Sequence, residues 1–78
     1  MRILEQRRGY LRATHKGCSI EIERDGKHHA KAFYITVTAP DGGHLYDGWA
    51  PDDVRTLDEA KRETIYGCGW KPRPEARP

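Results

Sequence analysis

The chain reads as an α+β domain: a small antiparallel β-meander of three strands, four if the N-terminal segment joins, with one helix packed on one face. Three observations predict it. Residues 18–23 and 31–38 alternate apolar and polar with a period of two, glycine turn signals stand at Asp25-Gly26 and Asp41-Gly42-Gly43, and a helix-capping box occupies residues 56–59 ahead of a short amphipathic stretch.

Residues 1–16 carry the weakest pattern. Tyr10-Leu11-Arg12-Ala13 reads as a fourth strand at the sheet edge, preferred to a helix over residues 2–13. The next segment is clearer: Cys18, Ile20 and Ile22 share one face and Ser19, Glu21 and Glu23 the other, which describes a strand with one wet side. Asp25-Gly26 turns the chain, because glycine accepts positive φ without steric cost. Lys31 to Thr38 is the best central strand, with Phe33, Ile35 and Val37 on the core face and Tyr34, Thr36 and Thr38 opposite. A second turn at Asp41-Gly42-Gly43 leads into a third strand over residues 44–49, read with Leu45 and Trp49 facing the core and His44 and Tyr46 facing out.

Pro51-Asp52-Asp53 ends the sheet. In Thr56-Leu57-Asp58-Glu59 the Thr56 hydroxyl can accept from the Glu59 amide while the Glu59 carboxylate returns to the Thr56 amide, so a helix is predicted from Leu57. Leu57, Ala60, Thr64, Ile65 and Cys68 form its apolar stripe, Asp58 and Glu59 sit where the helix dipole favours negative charge, and Gly67 is read as the left-handed C-terminal cap. Residues 1–70 therefore make one domain. Residues 71–78, with three prolines and three basic residues, are expected to form a disordered basic tail.

Seventy-eight residues bury only about 60% of the surface that the unfolded chain exposes, so the core is thin. The net charge of +2 hides a split: residues 1–16 sum to +4, residues 17–70 to −4 and residues 71–78 to +2. No apolar run approaches the ~18 residues of a membrane span, and the first eight residues carry no apolar signal core, so a soluble, cytoplasmic protein is expected. Cys18 and Cys68 are read as small hydrophobes, a disulfide between them being the minor alternative in a reducing compartment. The cysteines are fifty residues apart and His28 and His29 adjacent, which is not metal-ligand spacing, so no metal or cofactor is expected.

Catalytic signatures are missing: there is no Gly-x-Ser-x-Gly elbow, no His-Glu-x-x-His and no phosphate-cradling glycine loop. So small a core also suggests little room for a pocket of the usual ~300 Å³ or more. The chain is therefore read as a binder and not an enzyme. Two surfaces compete. An open sheet face with Glu21, Glu23, Tyr34 and Tyr46, together with Asp52 and Asp53, offers acids and aromatic anchors to a protein partner. The alternative is nucleic acid bound by the basic ends, with Arg7, Arg8, Arg12 and Lys16 on phosphates and Tyr10 or Trp70 stacking on bases. Homodimerisation through a strand edge or the open face is a third arrangement.

The plan of residues 17–70 resembles the small phage and mobile-element proteins of the anti-CRISPR kind, which bind and block a larger bacterial defence complex. The likeness is one of architecture, carried by the turns at Asp25-Gly26 and Asp41-Gly42-Gly43 and the box Thr56-Leu57-Asp58-Glu59. It implies a small inhibitor or adaptor that docks on a larger protein or nucleoprotein complex, and it assigns no residue a role.

Overall fold

The computed structural model describes residues 1–24 and 33–73. The turn expected at Asp25-Gly26, the pair His28-His29, the start of the central strand at Lys31 and the tail beyond residue 73 lie outside the described residues. Five strands, β1 (Arg2–Arg7), β2 (Tyr10–His15), β3 (Cys18–Arg24), β4 (Phe33–Thr38) and β5 (His44–Trp49), form one antiparallel sheet in the order β1-β2-β3-β4-β5, and a helix α1 (Leu57–Gly67) follows.

Among the described residues the α+β class with one helix therefore holds, but the sheet has five strands where three or four were expected. Residues 1–16 supply two of them as a hairpin, so 10–13 belongs to an interior strand and β1 takes the edge. Two features hid this hairpin. A bulge between Ile3 and Glu5 breaks the alternation of β1. The tight link from β2 to β3 is Lys16-Gly17, both at positive φ (51° and 80°) as a two-residue type I′ turn demands, and lysine is an unusual choice there.

Leu11, Ala13, Cys18, Ile20, Ile22, Phe33, Ile35 and Val37 are buried on the helix side of the sheet. The phase of β5 is the reverse of the expected one. Tyr46 pairs with Val37 on the helix side, Trp49 pairs with Tyr34 on the other, and Leu45 and Trp49 stay 46% and 45% exposed. The expected phase would have carried Asp47 into the core with Leu45 and Trp49, at the cost of desolvating a carboxylate. An irregularity opposite Val37 and Thr38 sets His44 beside Thr38, which decouples His44 from the face of Tyr46.

The capping box forms as predicted: Glu59 N–H donates to Thr56 Oγ1 at 3.1 Å, and Glu59 Oε1 accepts from the amides of Thr56 (3.1 Å) and Arg55 (2.7 Å). Those donors hold the Glu59 carboxyl below its ordinary pKa. Ala60 and Thr64 are the fully buried helix residues, small enough for α1 to lie close over β3 and β4, and the Thr64 hydroxyl donates to the Ala60 carbonyl at 2.8 Å.

The helix ends differently from the sequence reading. Gly69 (φ 75°), not Gly67, is the left-handed residue, and the amides of Gly69 and Trp70 bond back to the Tyr66 and Ile65 carbonyls, each at 3.0 Å, in a Schellman motif. Gly67 is needed for room: a Cβ there would lie 2.3 Å from the Tyr46 ring. That ring reaches the helix because the Tyr46 hydroxyl donates to Glu63 Oε2 at 3.0 Å. Glu63 is buried, and the Arg73 guanidinium clamps it with two bonds of 2.7 and 3.1 Å. The first residues of the expected tail are thus docked on the helix.

Two predictions follow from this end of the helix. Gly67→Ala should destabilise the fold by about 1–3 kcal/mol through overpacking, and Gly69→Ala by about 1–2 kcal/mol through left-handed backbone strain. In urea unfolding, a double-mutant cycle with Tyr46→Ala should show strong coupling at Gly67 and none at Gly69. The second concerns acid. Arg73 holds the Glu63 carboxyl below its usual 4.5, with burial opposing and Tyr46 assisting. A depressed folded-state pKa contributes stability above the unfolded value, and that stability is lost as pH falls through the folded one. As pH drops below 4.5, the urea midpoint of the wild type should therefore fall more steeply than that of Glu63→Gln.

Candidate protein-binding face and a basic-rimmed cleft

Strand register sorts the uncovered sheet face into three rows. Arg7, Tyr10, Glu23, Tyr34 and Trp49 form the first, Glu5, Arg12, Glu21, Thr36 and Asp47 the second, and Arg2, Thr14, Ser19, Thr38 and His44 the third. The alternation of β2, β3 and β4 turns these residues outward because their neighbours Leu11, Ala13, Ile20, Ile22, Ile35 and Val37 turn in.

Side-chain contacts along and between the strands hold the rows. At the β1 end, Glu5 accepts from Arg7 at 2.5 Å and lies 3.8 Å from Arg12, and the Arg7 guanidinium stands 4.4 Å over the Tyr10 ring. Tyr10 donates its hydroxyl to Glu21 at 2.9 Å, which raises the phenol pKa. At the β5 end, the Tyr34 hydroxyl donates to Asp47, again raising a phenol pKa, and the Tyr34 and Trp49 rings meet edge to face at 5.1 Å. The result is an aromatic pair with Glu23 beside Tyr34 in the same row and Asp47 bonded to the Tyr34 hydroxyl.

Of the six residues expected to bind a protein, Glu21, Glu23 and Tyr34 share this face. Tyr46 does not: it lies half-buried on the helix side, where burial and the Glu63 carboxylate push its hydroxyl up to about 12. Asp52 and Asp53 sit exposed on the link from β5 to α1, and Asp53 lines a depression against the helix with Glu63 and Arg73. Trp49 and Asp47 join the face in their place. The charged side chain within the strand, Asp47, was the signal for the correct phase. Of the alternative set, Arg7, Tyr10 and Arg12 lie on this same face, while Arg8 occupies the β1–β2 turn and Lys16 the β2–β3 turn at the opposite end of β2.

The helix side holds a cleft of about 520 Å³ between α1, the N-terminal half of β1 and the β2–β3 turn. Its volume exceeds what the thin core suggested, because the space lies beside the helix and outside the core. Ile3, Ile65 and Trp70 supply apolar wall, and Lys16, Lys61, Arg62 and Lys71 border it. His15 meets Trp70 edge-on at 4.6 Å, and its pKa is lowered by burial and by nearby positive charge, Lys16 and Lys71 included. The cations of this cluster come from three separate stretches of chain, so no local sequence pattern marks it.

Cys18 is buried and Cys68 half-buried, both as free thiols, and burial raises the Cys68 pKa. Among the described residues no three His, Cys, Asp or Glu side chains lie close enough to hold a metal ion, and no helix is long and apolar enough to cross a membrane. No protein family matches this sequence, and neither a curated protein nor a solved structure is significantly similar to it.

Proposed function

We propose that this protein is a small non-catalytic docking module, an inhibitor or adaptor that binds a larger protein or nucleoprotein complex through its uncovered sheet face. The observation that carries the reading is the Tyr34–Trp49 pair on that face, with Trp49 45% exposed and Glu23, Glu21 and Asp47 on the same surface. Trp and Tyr are the side chains that dominate interface energetics, and carboxylates around them select a partner bearing Arg or Lys. Size agrees. The molecule is a plate of 34 × 32 × 19 Å, and its broad face can supply the ~800 Å² per partner of a standard interface. The resemblance to anti-CRISPR proteins points to the same mode of action.

The nucleic-acid alternative draws less support from the same face. Its Arg2, Arg7 and Arg12 are outnumbered by Glu5, Glu21, Glu23 and Asp47, and Arg7 and Arg12 already engage Glu5. Such a face has little net attraction for phosphates.

Affinity capture from the source cell with the wild type and with two surface variants tests this. Capture should be lost with Tyr34→Ala/Trp49→Ala and retained with Arg7→Ala/Arg8→Ala/Arg12→Ala, both checked for folding by circular dichroism. The opposite pattern overturns the reading in favour of nucleic acid. A stable homodimer in light scattering that Trp49→Ala dissociates overturns it in favour of self-association.

A further inference from the structure

The cleft beside the helix is a second surface, separated from the docking face by the sheet itself. Ile3 pairs with Ala13 and His15 with Cys18 on the helix side, so neither can belong to the open face. The cleft combines two properties that differ from the rest of the molecule. Its walls are apolar, with Ile3 40% exposed. Its rim is of one sign: Lys16 comes from the β2–β3 turn, Lys61 and Arg62 from the middle of α1, and Lys71 from the segment after it, while no carboxylate among the described residues lines it. Of these cations, Lys61 is shared with Asp58 at 3.1 Å and Arg62 lies near Glu59, both carboxylates standing outside the cleft.

We infer that this cleft binds an acidic peptide segment of a partner protein, with one bulky apolar side chain seated between Ile3, Ile65 and Trp70 and its carboxylates spread among Lys16, Lys61, Arg62 and Lys71. Charge complementarity demands an anion. The placement of the cations on three elements favours several separated charges over one compact headgroup. The wall of Ile3, Ile65 and Trp70 fits a branched or aromatic side chain better than a nucleobase, which seeks an open ring face, because the Trp70 ring already meets His15. Among the described strands β1 is terminal in the sheet order, and it borders the cleft through Ile3, so its outer edge offers backbone groups to an extended chain. The Schellman motif helps build the site, since the bond from the Trp70 amide to the Ile65 carbonyl holds two of the lining residues together.

Trp70 reports on the cleft once Trp49→Phe removes the other tryptophan. In that background, a short peptide of Glu and Asp around one central Leu should change the Trp70 fluorescence saturably, and its Gln and Asn counterpart should not. Lys61→Glu/Lys71→Glu should weaken the acidic peptide by about tenfold. If that pair disturbs the circular dichroism, Lys71→Glu alone, outside the regular elements, carries the comparison. No response to the acidic peptide, an equal response to the uncharged one, or indifference to the charge reversals overturns the inference. Tighter, reversal-sensitive binding of oligothymidylate overturns it by assigning the cleft to nucleic acid. Because the fluorescence then comes from Trp70, which lines the cleft on the other side of the sheet, the outcome reads the cleft and not the docking face.

Discussion

A helix of eleven residues is about 16 Å long and 10 Å wide, whereas five strands side by side span about 24 Å. One such helix cannot cover the sheet, and most of the surface chemistry of this protein follows from that mismatch. Where α1 crosses β3 and β4, a core forms. On the far side of the sheet no helix or strand among the described residues covers the strands, and over β1 and β2 the helix leaves a gap that becomes the cleft. Both candidate surfaces are thus consequences of one shortage of cover.

The short helix needs secure attachment, and the link is polar. Glu63 is 7% exposed yet has three bonds, one from Tyr46 on the sheet and two from Arg73 beyond the helix. A buried carboxylate satisfied in this way orders whatever holds it. Here it orients Tyr46, fixes the phase of β5 and ties down the chain after the Schellman turn. The same arrangement releases Trp49 to the open face. A contact on one side of the sheet therefore sets the composition of the other.

Charge is sorted by face rather than by position along the chain. Glu59 caps the helix and Glu63 anchors it, so two acids of the central segment serve the fold. The open face keeps Glu21, Glu23 and Asp47 toward its centre and β5 end and arginines toward β1, while the cleft has a cationic rim. The net +2 describes neither surface. A partner meets local charge: acids outnumber arginines on the open face, the cleft rim is cationic, and Asp53, Glu59 and Glu63 line a separate depression on the helix side.

The local rules written in short stretches were legible. Period-two alternation determined β3 and β4, because β-branched and apolar residues every second position have only one way to bury together, and Thr56 with Glu59 determined where the helix begins, because a cap is made by residues three apart. Glu21, Glu23 and Tyr34 followed as outward residues. What remained undecided needed contacts between distant residues. Alternation says which side chains of β5 share a face; Asp47 weighs against the phase that would bury it, and the helix, through Glu63 and the close approach at Gly67, is what receives Tyr46 in place of Trp49. The hairpin of residues 2–15 stayed hidden because a bulge and a Lys-Gly turn blur its local signal, while pairing with β3 supplies the stability. The cleft, drawn from three segments that touch only after folding, was settled by tertiary structure alone.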